Sequence, residues 1–165
     1  MLRRWYDRIV TTLVVVAVTV MLGAALVGTV SRYLTFLPSI SWGEEVTRFA
    51  GIWSVFLVAG LTIRHGAHLG VDFLTTLLPP RARNTVRLVN CALILAFSGL
   101  LLVYGLRLAA ENRGQYSAAL EWSMGAIYLC IPIGAALMIV EGLGVARRLL
   151  RGGPEPRPPA GVVVE

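Results

Sequence analysis

The chain has 165 residues, 56% of them hydrophobic and 15% charged, with a mean hydropathy of +0.73. Soluble domains average about 45–50% apolar and about 25% charged residues, so this composition excludes a water-solvated fold of this length and points to an all-α membrane protein. The formal charge of +6 does not indicate a nucleic-acid partner, because the basic residues, all of them arginine, flank apolar runs in the manner of topology signals.

The first run is Ile9–Val30, free of charge and preceded by Arg3, Arg4 and Arg8. It is longer than the apolar core of a signal peptide, about 7–15 residues. Gly28-Thr29-Val30-Ser31-Arg32 is also a poor cleavage site, so the run is expected to be a retained spanning helix. Residues 31–40 form the first outside loop.

The second helix is expected from Ser41, with Glu44, Glu45 and Arg48 in its first two turns and an uncharged stretch from Phe49 to Ile63. Ser41 and Glu44 have capping-box spacing, and both carboxylates suit the positive end of the helix dipole. Glu44 and Arg48 stand i,i+4 with the acid first, the better orientation. Trp42 suits the headgroup level. Two readings of this stretch remain open: a well-capped helix start at the outer interface, or a polar contact to a partner protein or a buried structural pair. A general acid–base site is disfavoured, since no nucleophile or metal ligand accompanies the carboxylates.

Arg64 and Gly66 suit a helix end. Beyond them, Val71–Leu78 follows helical spacing up to Pro79-Pro80 and predicts a short interfacial helix between spans two and three. His65 and His68 stand i,i+3, but Asp72 is the only further ligand nearby, so Asp72 is read as the N-cap or first-turn acid of that short helix rather than as a metal ligand. The third run is Leu88–Leu106, followed by an outside loop over 107–121.

The fourth run is Trp122–Val140, ending at Glu141. Pro132 leaves the Tyr128 carbonyl without its helical donor, so a local kink is expected there. Cys91 and Cys130 fall inside apolar runs and read as small buried hydrophobes. Small-residue pairs Ala24/Gly28 and Ala50/Ser54 have the spacing of close helix contacts. A haem site would need histidines deep in the spans, and both lie near one loop, so no cofactor or metal is expected. The Pro- and Gly-rich tail from Gly152 is expected to be disordered.

One four-helix membrane domain over 1–150 follows, with spans at about 9–31, 42–64, 87–108 and 122–146 and a cytoplasmic tail over 151–165. Eleven of the fifteen arginines fall in the N-terminus, the loop 64–87 and the tail; Arg32, Arg48, Arg107 and Arg113 fall on the other side. The positive-inside rule then places both termini in the cytoplasm. Apart from Arg48 near an end, no ionisable residue interrupts the spans, which argues against conduction by this chain alone.

Several motifs together resemble a known family. They are Arg32-Tyr33; Ser41-Trp42-Gly43-Glu44-Glu45 with Arg48; Arg64-x-Gly66-x-His68-Leu69-x-Val71-Asp72 with Leu78-Pro79; and Tyr128-x-x-x-Pro132-Ile133-Gly134. In order and spacing, over about residues 5–150, they resemble the small membrane subunit of tripartite ATP-independent periplasmic (TRAP) transporters, the DctQ family. The resemblance implies a bacterial inner-membrane scaffold beside a large elevator permease. A periplasmic solute-binding protein delivers an organic acid, and an ion gradient, usually sodium, drives uptake. It marks Arg32, Trp42, Glu44, Glu45, Arg48, Arg64, His68, Asp72, Tyr128 and Pro132 as partner-interface or structural candidates. The alternative is the small membrane subunit of another secondary transporter, such as the tripartite tricarboxylate system. Either way the expected partners are protein subunits and membrane lipid.

Overall fold

A computed structural model describes residues 2–33, 41–64 and 80–151. It contains helices α1 (Leu2–Tyr33), α2 (Ser41–Arg64), α3 (Pro80–Glu111), α4 (Met124–Tyr128) and α5 (Cys130–Leu150). The expected helix over 71–78 and the tail from Gly152 lie outside the described residues. Four stretches are long and apolar enough to cross a membrane: Trp5–Tyr33, Ser41–Ile63, Thr85–Glu111 and Met124–Leu150. The all-α, four-span architecture read from the sequence is therefore present.

The helices follow from their solvent. Hydrocarbon offers no partner to backbone N–H and C=O groups, so each span closes its own hydrogen bonds. Hydroxyls in the spans do the same. Thr19 donates to the Val15 carbonyl at 2.8 Å, Thr29 to Ala25 at 2.8 Å, and Ser98 to Ile94 at 2.7 Å. Such back-bonding satisfies the hydroxyl within its own turn.

The long helices form an open row rather than a closed bundle. α1 packs on α2, α2 on α5, and α5 on α3, while among the described residues no sizeable contact joins α1 to α3. Burial follows this order. Of the most apolar stretch in each span, 39% is buried in the fourth and 28% in the second, but 11% in the first and third.

Glycines set the central seams. A Cβ added at Gly60 would lie 2.8 Å from the Leu137 Cβ, and one at Gly134 would lie 2.7 Å from the Phe56 Cβ and 2.9 Å from the Phe56 carbonyl oxygen. α2 and α5 thus press together through reciprocal glycine notches, as helices in lipid do when small residues let backbones approach. At Gly105 the α3–α5 seam is equally tight, with Ile131 and Pro132 filling the notch. Of the small residues paired in the sequence reading, Gly28 takes no part in such an approach. Gly28 has nothing within 4 Å of its missing Cβ, although Ala24 is buried. Spacing shows that a small residue is available, but only the crossing point decides which one is used.

These contacts also fix direction. α2 and α5 run the same way, through Gly60–Leu137 and Phe56–Gly134. α3 runs opposite to α5, with the Cys91 thiol donating to the Gly142 carbonyl at 3.5 Å. α1 runs opposite to α2, because Arg32 meets Glu44. Leu2 and Leu150 therefore share one end of the row, the terminal end; the segment 112–123 lies at the other, the loop end.

The fourth span is interrupted, and the break falls at Leu129, between α4 and α5. This is the turn from which Pro132 withdraws a donor. The ladder resumes with the Ile133 N–H donating to Leu129 at 3.1 Å.

Candidate functional site

The candidate residues at the start of α2 converge at the loop end, where two adjacent carboxylates meet opposite environments. The helix begins at Ser41, so Glu44 and Glu45 occupy its first two turns about 100° apart around the axis. Glu44 faces α1 and forms an ion pair with Arg32; both side chains are exposed. Glu45 turns inward and is 8% exposed.

Glu45 is held by a loop more than seventy residues away. The Ala118 and Ala119 N–H groups donate to its Oε1 at 3.0 and 3.2 Å, and the Leu120 N–H donates to Oε2 at 3.1 Å. The Ser117 hydroxyl lies against the same carboxylate and accepts from the Trp122 N–H at 3.2 Å. The physical logic is that of a helix start. Residues 117–121 make one turn, closed by the Glu121 N–H donating to Ser117 at 3.2 Å. The first N–H groups of such a turn have no partner inside it, and converging amides of this kind form an anion cradle. The carboxylate of Glu45 fills that cradle.

The loop is stiff in its own right. Tyr116 and Ser123 form an antiparallel bridge. The Ser117 N–H donates to Trp122 at 2.9 Å and the Met124 N–H to Gln115 at 2.8 Å. The Ser123 hydroxyl donates to the Arg113 carbonyl at 2.9 Å. Glu121 takes a φ of 54° to turn the chain back, a left-handed conformation uncommon outside glycine. Gly125 then lets α4 approach α3, since a Cβ there would lie 2.6 Å from the Ala109 carbonyl oxygen.

Two expectations about this stretch are corrected. Glu44 pairs with Arg32 across helices, not with Arg48 along its own helix; the Arg48 guanidinium lies 5.3 Å from the Phe49 ring centre. The Ser41–Glu44 capping exchange is not among the hydrogen bonds of the described residues, since the Glu44 carboxylate is turned toward α1. The loop expected over 107–121 also begins later, because α3 continues to Glu111.

The family model for the DctQ component of tripartite ATP-independent periplasmic transporters matches residues 21–152, which include this whole arrangement. The chain belongs to the DctQ family. It is 26% identical over 127 residues to the C4-dicarboxylate TRAP transporter small permease protein DctQ of Pseudomonas aeruginosa, covering 72% of this chain and 59% of the relative. Identity to the Rhodobacter capsulatus protein of the same name is 29% over 120 residues, covering 72% and 53%. The sialic acid TRAP transporter small permease protein SiaQ of Vibrio cholerae is 26% identical over 131 residues, covering 76% and 75%. The chain thus spans somewhat more than half the length of the first two relatives. DctQ is a transporter membrane component rather than an enzyme family.

The remaining DctQ-like motif residues are scattered along the row. Trp42 is 45% exposed in the first turn of α2. Tyr128 ends α4, and Pro132 is buried in the α3–α5 seam. Arg64 is the last residue of α2, at the terminal end; His68 and Asp72 lie outside the described residues. The sequence reading missed the partners of Glu45. Backbone amides carry no residue-type signal, so nothing in 117–120 advertises a cradle. The fourth span, expected over about 122–146, continues in α5 to Leu150, and Glu141, which closed the charge-free run, is buried within that helix.

Proposed function

We propose that this chain is the small permease subunit of a TRAP transporter, serving as the static scaffold beside the large elevator permease. That assembly takes up an organic acid handed over by a periplasmic solute-binding protein and driven by an ion gradient. The observation that carries the reading is the DctQ match over residues 21–152. The loop-end geometry supports the static part. Glu44 and Glu45 are both engaged within the chain, one joining α1 to α2 and the other fixing α2 to the 112–123 loop. An elevator needs a partner that keeps its tilt and depth while the carrier moves, and stiff seams with interfacial aromatics supply that. Trp42 and Arg48 are exposed beside this rigid end and are the residues we assign to a subunit contact. Glu45 acts on a partner only through the loop it holds. Arg64 is assigned to a contact at the terminal end, and His68 and Asp72 are proposed as partner contacts.

The arginine asymmetry supports an arrangement with both termini cytoplasmic and the 112–123 loop periplasmic. Impermeant thiol labelling of a Glu121→Cys variant from the periplasm, with Arg83→Cys protected, is the expected pattern; the reverse pattern removes the orientation. The functional test is uptake. Deleting this chain while retaining the neighbouring large permease and binding protein is expected to abolish uptake, and an affinity tag on this chain is expected to recover the permease. Full uptake without the chain would end the scaffold reading.

A further inference from the structure

Between α2 and α3, over α5, lies an open apolar groove of about 680 Å³. α2 contributes Val55, Val58 and Ala59, α3 contributes Leu93 and Phe97, and Met138 of α5 lies between them. The groove is almost wholly apolar and offers an occupant no free hydroxyl donor. Its hydroxyls are closed within their own helices: Ser54 donates to Gly51 at 2.8 Å, Thr62 to Val58 at 2.9 Å, and Ser98 to Ile94 at 2.7 Å.

Its width selects the occupant. α5 meets α2 through Gly134 and Leu137, and α3 through Ile131, Pro132 and Gly142. On a helical wheel these two faces are roughly 120° apart. With packed axes about 8–10 Å apart, the α2 and α3 axes stand ~15 Å from one another. Helices about 10–12 Å wide then leave a slot of ~4 Å. That admits a hydrocarbon chain and is too narrow for another helix.

Arginines stand at both ends of the slot: Arg48, two turns from Val55, at the loop end, and the pair Arg87 and Arg148 at the terminal end. Arg87 stands seven residues, two turns, from Ile94 on the stripe of α3 that borders the groove. Cys91 meets Gly142, so one turn further on Arg87 is level with about Ala146 of α5, and Arg148 lies two residues beyond. α2 ends at Arg64, one turn past Gly60, whose partner is Leu137. Its end is therefore level with Glu141, and nothing of α2 stands beside Arg148. Among the described residues, the slot thus opens at the terminal end between two half-buried arginines. Basic pockets between spans recognise anionic headgroups in this way.

We propose that the wedge between α2 and α3 binds an anionic phospholipid from the leaflet at the terminal end, with one acyl chain along Val58, Phe97 and Met138 and its phosphate at Arg87 and Arg148. The site does not rest on the transporter reading. The probe is phosphatidylglycerol carrying a photoreactive group in its acyl chain, offered to the full chain in nanodiscs, with phosphatidylcholine of the same chains as the comparison. Phosphatidylglycerol is expected to label the peptides holding Val58 and Phe97, with little labelling by phosphatidylcholine. Neutralising Arg87→Gln together with Arg148→Gln is expected to lower phosphatidylglycerol labelling by at least about fivefold, the effect of one arginine near an anionic surface. Ala59→Trp, which fills the slot, is expected to abolish it, with circular dichroism reporting that the helices persist; labelling of the unaltered chain decides the matter if that variant misfolds. Equal labelling by the two lipids, or no loss in the arginine variant, would overturn the headgroup site. A photocrosslinker at Phe97 that captures a protein rather than lipid in native membranes would overturn the site altogether.

Discussion

Leu26 on α1 and Leu57 on α2 are the same residue in two apolar spanning helices, yet one is 66% exposed and the other 6%. The same contrast separates Leu93 of α3, 64% exposed, from Met138 of α5, 7% exposed. In water this difference would cost about 25 cal/mol for each Å² of exposed apolar surface. In lipid it costs little, because hydrocarbon solvates Leu26 as well as a protein interior does. Hydrophobicity therefore does not choose the inside of this chain. Close approach does, and on the central seams it falls where a glycine of one helix meets a larger residue of the next.

The comparison breaks first at the α2–α5 seam. Gly134→Val should be the most damaging single change, because its Cβ would press on both the side chain and the carbonyl of Phe56. Overpacking of this kind costs about 1–3 kcal/mol or more, read as a lower unfolding midpoint in mild detergent. Next comes Glu45→Ala, which leaves the Ala118, Ala119 and Leu120 amides without their acceptor. Hydrogen exchange at those three amides should accelerate while exchange in mid-α5 stays as it was; unchanged exchange would show that the loop holds itself. On the edge of the row, Gly23 has nothing within 4 Å of its missing Cβ. Gly23→Ala should therefore be tolerated and stabilise by up to about 1 kcal/mol through helix propensity. Arg32→Gln should matter least. It removes an exposed ion pair, worth about 0.2–1 kcal/mol, and the loss should shrink further in high salt.

Much of this was legible in the residues. The charge-free runs located all four spans, and Pro132 marked the neighbourhood of the break, although the interruption settles at Leu129. Glu44 and Glu45 stood out as a pair, but their division of labour did not. The partner of Glu44 lies on another helix and the partners of Glu45 are backbone amides 73 to 75 residues away. Capping and i,i+4 rules see only neighbours along the chain. They favoured Ser41 and Arg48, while the fold supplied Arg32 and the 117–121 turn.

What the sequence by itself determined is how many times the chain crosses the membrane and roughly where. Run length and the cost of an unpaired backbone group in hydrocarbon leave little choice. Only the tertiary structure decided the order of helices in the row, which glycines lie at the crossings, and which of two adjacent carboxylates is enclosed. Lipid and protein interior are nearly equivalent solvents for an apolar side chain, so composition cannot say which face is covered. That choice falls to the geometry of close contacts and to the few polar groups that must find one another across the chain.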